Sequence, residues 1–196
     1  MFRPIWVFNH HSTRRAFMAL HIAFEKSADS FIKKIVKTLA GPYVHTELVV
    51  THATAVPVHV AYAAYMKETF SQIQQQDFWY EDQTHDFLKI NVSCDELRRV
   101  DETCETCVRT KVPYNTRDMV LSVIPMRNPT ENDIYHTGSL FCSQSIVLVL
   151  RCCLDASHPL QPIMSSVNSR TITPSQLYTL IRPYSTPACR NQMLGR

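Results

Sequence analysis

FCSQSIVLVL, residues 141–150, is the stretch on which the reading of this chain turns. Ser143, Gln144 and Ser145 suit the first turn of a helix, and the unbroken apolar run from Ile146 to Leu150 suits a helix interior buried nearly all round. Cys142 then stands at or just before the N-terminus of a buried helix. Backbone N–H groups without intrahelical partners and the positive end of the helix dipole favour a thiolate there, the form that attacks carbon. Two readings stay open from this stretch alone: a nucleophile, or a small core residue, since free cysteine is among the most buried side chains.

A helix without a polar face needs other elements around it, and the flanking sequence supplies them. Upstream, residues 124–140 read as a Pro- and Asn-containing loop, and Asn115-Thr116-Arg117-Asp118 starts a helix through Met119, Leu121 and Val123. Residues 94–110 form a second helix, with Leu97, Val100, Cys104, Cys107 and Val108 as the stripe that lies on a sheet. Strands are expected over 16–24 (AFMALHIAF), 43–50 (YVHTELVV), 58–65 (VHVAYAAY) and 86–92 (DFLKINV), with a loop or short helix over 66–76. Between the first two strands, residues 27–39 place Phe31, Ile32, Ile35, Val36 and Leu39 on one helical face and lysines on the other, and Gly41-Pro42 ends that helix. Thr173 and Pro174 cap a last helix through Ile181, and residues from Pro183 onward read as a frayed tail. The expected class is α+β, an antiparallel sheet packed against the Cys142 helix. One domain spans residues 16–182, after an arm or edge strand over 1–15 and before a tail over 183–196.

Composition narrows the chemistry. A chain of 196 residues suits one domain with a real core. Its net charge of +3 comes without a basic run or basic–aromatic alternation, so no nucleic-acid partner is expected. Three glycines, Gly41, Gly138 and Gly195, are too few for a phosphate-cradling loop. The seven cysteines are odd in number and irregularly spaced, which suits reduced thiols in a cytoplasmic compartment. No apolar run is long enough for a signal-peptide core or a transmembrane segment.

A thiolate nucleophile needs an imidazole within hydrogen-bond reach and a third group that orients the ring. His45 stands apart among the nine histidines because it opens a core strand just after the Gly-Pro break, where a ring can point past the sheet edge toward a facing helix. Alternation keeps Glu47 on its face. If residues 51–53 form a three-residue hairpin loop, His59 lies directly opposite His45. Cys104-x-x-Cys107, with Cys94 and His85 upstream, offers a zinc set or, as the spacing favours, the buried stripe of a helix.

Taken together, Gly-Pro, Tyr43-Val44-His45-Thr46-Glu47-Leu48-Val49, Pro113-Tyr114-Asn115, Phe141-Cys142-Ser143-Gln144 and Thr173-Pro174-Ser175-Gln176-Leu177-Tyr178 resemble the circularly permuted branch of the NlpC-type papain-like superfamily. That branch includes lecithin retinol acyltransferase-like proteins, bacterial YiiX-like hydrolases and proteins of large DNA viruses; the order His before Cys marks the permutation. The resemblance implies a permuted papain-like fold with Cys142 as nucleophile, His45 as base and a polar residue of the next strand, the place of His59, as orienter. Glu47 is the reserve for that role and, with Tyr114 as a cleft wall, is expected to line the substrate site. The implied activity is a cysteine-dependent hydrolase of the amidase or peptidase type, working through a thioester acyl-enzyme without a cofactor. Its substrate would be a peptide, an isopeptide or an acyl ester. The same dyad also suits lipid acyl-ester cleavage or acyl transfer, and a catalytically idle scaffold or a zinc-stabilised module are the non-enzymatic alternatives.

Overall fold

Runs of β-branched, aromatic and small apolar residues become strands, and they assemble into one six-stranded antiparallel sheet. The computed structural model describes residues 16–53, 58–64, 70–75, 83–116, 119, 122 and 139–188. In chain order these hold β1 (Ala16–Glu25), α1 (Phe31–Ala40), β2 (His45–Ala53), β3 (Val58–Ala64), β4 (Phe70–Gln75), β5 (His85–Ile90) and α2 (Cys94–Arg109). They continue with α3 (Cys142–Cys153), α4 (Gln161–Ser166), α5 (Pro174–Ile181), a 3-10 turn (Arg182–Tyr184) and β6 (Ser185–Ala188). Strand order is β4-β3-β2-β1-β5-β6, so the longest strands, β1 and β2, lie at the centre. The expected α+β architecture, an antiparallel sheet against the Cys142 helix, is present.

Strand alternation gives the sheet two faces. Leu20, Ile22 and Phe24 of β1, Leu48 and Val50 of β2, Val60 and Tyr62 of β3 and Leu88 and Ile90 of β5 pack with α2, α3 and α5 in the main core. Ala23, Val49, Ala61 and Phe87 form a second, smaller cluster on the opposite face. Every residue of α3 from Cys142 to Leu150 is buried, as its lack of a polar face requires. Ser143 Oγ donates to the Ile172 carbonyl at 2.7 Å, and Arg151 donates to the carbonyls of Met164 and Val167, each at 2.6 Å through Nη2. These bonds tie α3 to α4 and to the lead-in of α5. Helix α2 begins in a reciprocal cap: Ser93 Oγ accepts from the Glu96 N–H, and the Glu96 carboxylate accepts from the Ser93 N–H.

Three sequence expectations are corrected. Residues 51–53 continue β2 instead of turning, so the hairpin register pairs Thr51 with His59. Residues 70–75, expected as loop or short helix, pair along β3 as β4, an edge strand of the sheet. Residues 185–188, expected in the tail, pair with β5, and Pro187 is accommodated because β6 is an edge strand. On α1, Val36 is inside while Phe31, Ile35 and Leu39 are exposed. The expected arm over 1–15, the connection at 54–57, half of the helix expected over 114–123 and residues 124–138 of the expected loop lie outside the described residues.

Candidate active site

The Gly41-Pro42 break sets up the site. Gly41 adopts φ +104°, and a Cβ there would meet Ser175 Oγ at 2.8 Å, so the close approach of α1 to α5 requires the missing side chain. Just beyond, the Tyr43 N–H donates to Ser175 Oγ at 3.1 Å, and the Tyr43 ring packs with Phe24 and Tyr178 at centroid separations of 5.5 and 4.5 Å. The Tyr43 hydroxyl donates to Asp86, which also pairs with Lys26 at 2.8 Å. His45 follows as the first residue of β2, opposite Glu25 of β1.

Cys142 is the first residue of α3, the position its sequence anticipates. The parallel bridge between Tyr114 and Leu140, closed by Asn115 N–H to Leu140 O at 2.8 Å and Leu140 N–H to Pro113 O at 2.9 Å, brings the Tyr114 segment alongside the approach to the helix. By alternation His45 and Glu47 belong to the smaller-cluster face of the sheet, whereas α3 packs on the main-core face. The thiol and the imidazole therefore meet at the end of β2, where the first residue of a strand approaches the first residue of a helix.

There Cys142 and Glu47 both act on the charge of His45, whose Nε2 lies 3.5 Å from Glu47 Oε1. Burial alone would push the Cys142 thiol up. The hydrogen bond and charge of His45 oppose that, as do the N–H groups of Thr46 and Ser143, and the thiol ends below its ordinary value. Burial likewise works against a charged His45, but Cys142 and then Glu47 outweigh it and raise the imidazole. Both directions favour a thiolate–imidazolium pair. Burial first, then the nearby Cys142, push the Tyr114 phenol well above its ordinary value, so it keeps its proton. Its hydroxyl donates to Met119 Sδ at 3.0 Å.

The site is enclosed. Cys142 is 2 % exposed, His45 9 % and Glu47 8 %. His59 is not part of it. Its Nδ1 lies 3.1 Å from Thr51 Oγ1, and six residues along β2 separate Thr51 from His45, about 20 Å at the usual strand rise. It shares the face of His45 without reaching it, because the hairpin turns later than the three-residue loop assumed. The group beside the imidazole is Glu47, two residues on from His45, a proximity that alternation alone announces. The N–H of Thr46 carries no sequence signal, since any residue there would supply it.

Cys104 and Cys107 lie in the main core with Leu97 and Val100, the buried stripe expected of α2, and Cys153 of α3 joins them. Among the described residues, no group of three or more His, Cys, Asp or Glu side chains is arranged to hold a metal ion. Comparison of the chain with family models, with curated proteins and with solved structures gives no match.

Proposed function

We propose that the protein is a cysteine-dependent hydrolase of the amidase or peptidase type on a permuted papain-like fold, with Cys142 as nucleophile, His45 as general base and Glu47 as the group that orients His45. The observation that carries this reading is the set of partners around one sulfur: a helix N-terminus, an imidazole backed by a carboxylate, and a protonated phenol, contributed by segments 97 residues apart from His45 to Cys142.

In the proposed cycle, Nε2 of His45 faces Glu47 while the other ring nitrogen takes the Cys142 proton. The thiolate attacks a carbonyl carbon, forming a C–S bond and an oxyanion that the Cys142 backbone N–H and the Tyr114 hydroxyl stabilise. Collapse breaks the bond to the leaving amine or alkoxide, which receives the proton from His45. His45 then takes a proton from water; the hydroxide attacks the thioester and restores the thiol. Peptide and isopeptide bonds are the favoured substrates; acyl esters pass through the same thioester. The thiol state of the six described cysteines suits a reducing, cytoplasm-like compartment.

The 2 % exposure of Cys142 favours a second reading, a papain-like scaffold that keeps the dyad covered. Alkylation rates separate the two. In the enzyme, iodoacetamide modifies Cys142 near neutral pH faster than the buried Cys104 and the exposed Cys94, and His45→Ala slows Cys142 alone. Labelling of Cys142 as slow as that of Cys104, and indifferent to His45→Ala, assigns the scaffold instead.

A further inference from the structure

The first turn of α3 holds a polar group that the fold does not use. Ser143 Oγ donates to the Ile172 carbonyl and Ser145 Oγ to the Cys142 carbonyl, each at 2.7 Å. Gln144, between them, is wholly buried. Its Oε1 accepts from the Phe141 N–H at 3.4 Å, so the other end of its side-chain amide is the NH2 group. That Nε2 has no hydrogen-bond partner among the described residues. The contact with Phe141 turns the side chain back toward the helix N-terminus, where Cys142 lies.

Strand β2 supplies a second such group. Thr46 pairs with Phe24 of β1, a main-core residue, so its side chain lies on the sheet face that α3 covers. It follows His45 directly, and its N–H is one of the groups that hold the Cys142 thiol down. Its Oγ1 is buried and likewise has no hydrogen-bond partner among the described residues. A buried donor or acceptor left unpaired is costly, and native structures keep few of them. Here one stands on each of the two elements that build the dyad, within two residues of it.

What these atoms require separates substrate classes. An amide NH2 only donates, and a hydroxyl donates or accepts. A peptidyl chain carries both C=O and N–H groups and satisfies the two together. A fatty acyl chain has no polar atom beyond its reacting carbonyl, so seating it against Cys142 leaves them unpaired. Resting on the hydrolase reading above, we propose that Thr46 and Gln144 are specificity-determining residues that select a peptidyl over a fatty acyl group. Gln144 Nε2 donates to a carbonyl oxygen of the peptidyl chain, and Thr46 Oγ1 accepts from one of its N–H groups.

Two electrophiles of matched length test it: acetylglycine chloromethyl ketone, which carries an amide, and butyl chloromethyl ketone, which carries none. Both alkylate a thiolate with loss of chloride. Mass-spectrometric rates at Cys142 are divided by those at the exposed Cys94, which cancels intrinsic reactivity. The expected ratio is about tenfold higher for the acetylglycine probe, the contribution of one net hydrogen bond. Thr46→Val and Gln144→Met each reduce that preference, whereas Thr46→Ser, which keeps the hydroxyl, retains it. Urea midpoints check that the variants fold; Thr46→Val holds or raises its midpoint, because it removes a buried hydroxyl without a partner. A fast, His45-dependent Cys142 with no preference between the probes overturns this inference and leaves the hydrolase reading standing. So does a preference that neither Thr46→Val nor Gln144→Met alters. Cys142 as slow as Cys104 with both probes, and indifferent to His45→Ala, overturns both.

Discussion

At the scale of single residues, the site rests on opposed forces around one sulfur. Burial penalises the thiolate, and His45 first, then the Thr46 and Ser143 N–H groups, oppose that penalty. Glu47→Gln keeps the shape of its side chain and removes the charge behind His45. The imidazole falls toward its ordinary value, the thiolate share falls with it, and Cys142 alkylation near neutral pH slows about tenfold, which is one pKa unit of coupling. A pH series of alkylation rates reads this as a midpoint moved upward. His59→Ala leaves that midpoint in place, because its ring is bound to Thr51 far along the strand. Tyr114→Phe removes the phenolic proton; on any amide or ester that the protein turns over, kcat drops by roughly 10²–10³ with little change in KM, the cost of one oxyanion donor.

At the scale of elements, the positions of His45 and Cys142 are set by how β2 and α3 begin. The start of α3 is local information: a thiol, three small polar residues and an apolar run. The start of β2 depends on Gly41, whose positive φ and lack of a Cβ let the end of α1 lie against Ser175 of α5. Gly41→Ala forces a side chain into a backbone region that costs about 1–3 kcal/mol and sets its Cβ against Ser175 Oγ. Urea denaturation is expected to show a loss of that size. A neutral effect would mean that the turn relaxes without cost. Element ends also explain the misread register. Nothing in THATAVP says that three more residues pair before the chain turns, yet that difference moves His59 from opposite His45 to opposite Thr51.

At the scale of the whole molecule, a buried histidine on the small-cluster face couples the fold to pH. His21, between Val49 of β2 and Lys89 of β5, is 4 % exposed. Burial first, then the charges of Lys89 and His59, lower its pKa from 6.5 to about 4. The unfolded chain therefore binds the proton more readily than the folded one, and stability present above pH 6.5 is lost as pH falls toward about 4. The loss from this group is roughly 3 kcal/mol over that window. His59 and His85, also lowered by burial, add to it with the same sign. Unfolding free energies measured across the window should show this slope, and His21→Leu should flatten it. An unchanged slope in that variant would place the pH sensitivity elsewhere.

The sequence by itself determined the elements whose signals are local. Hydrophobic periodicity marked α2 and its buried cysteines, the Gly-Pro pair ended α1, Thr173 and Pro174 opened α5, and the Cys142 motif began α3 at the residue observed. It also singled out His45 and Cys142 as a pair and kept Glu47 in reserve, because strand alternation is local too. Only the tertiary structure decided what depends on distant partners. The pairing of Ser185–Ala188 with β5 supplies that strand with backbone hydrogen bonds that a four-residue polar segment does not advertise. The choice of Glu47 over His59 beside the imidazole came from strand register, and the exposure of Phe31, Ile35 and Leu39 from which side of α1 the body covers. Periodicity states which side chains share a face; packing alone states what that face meets.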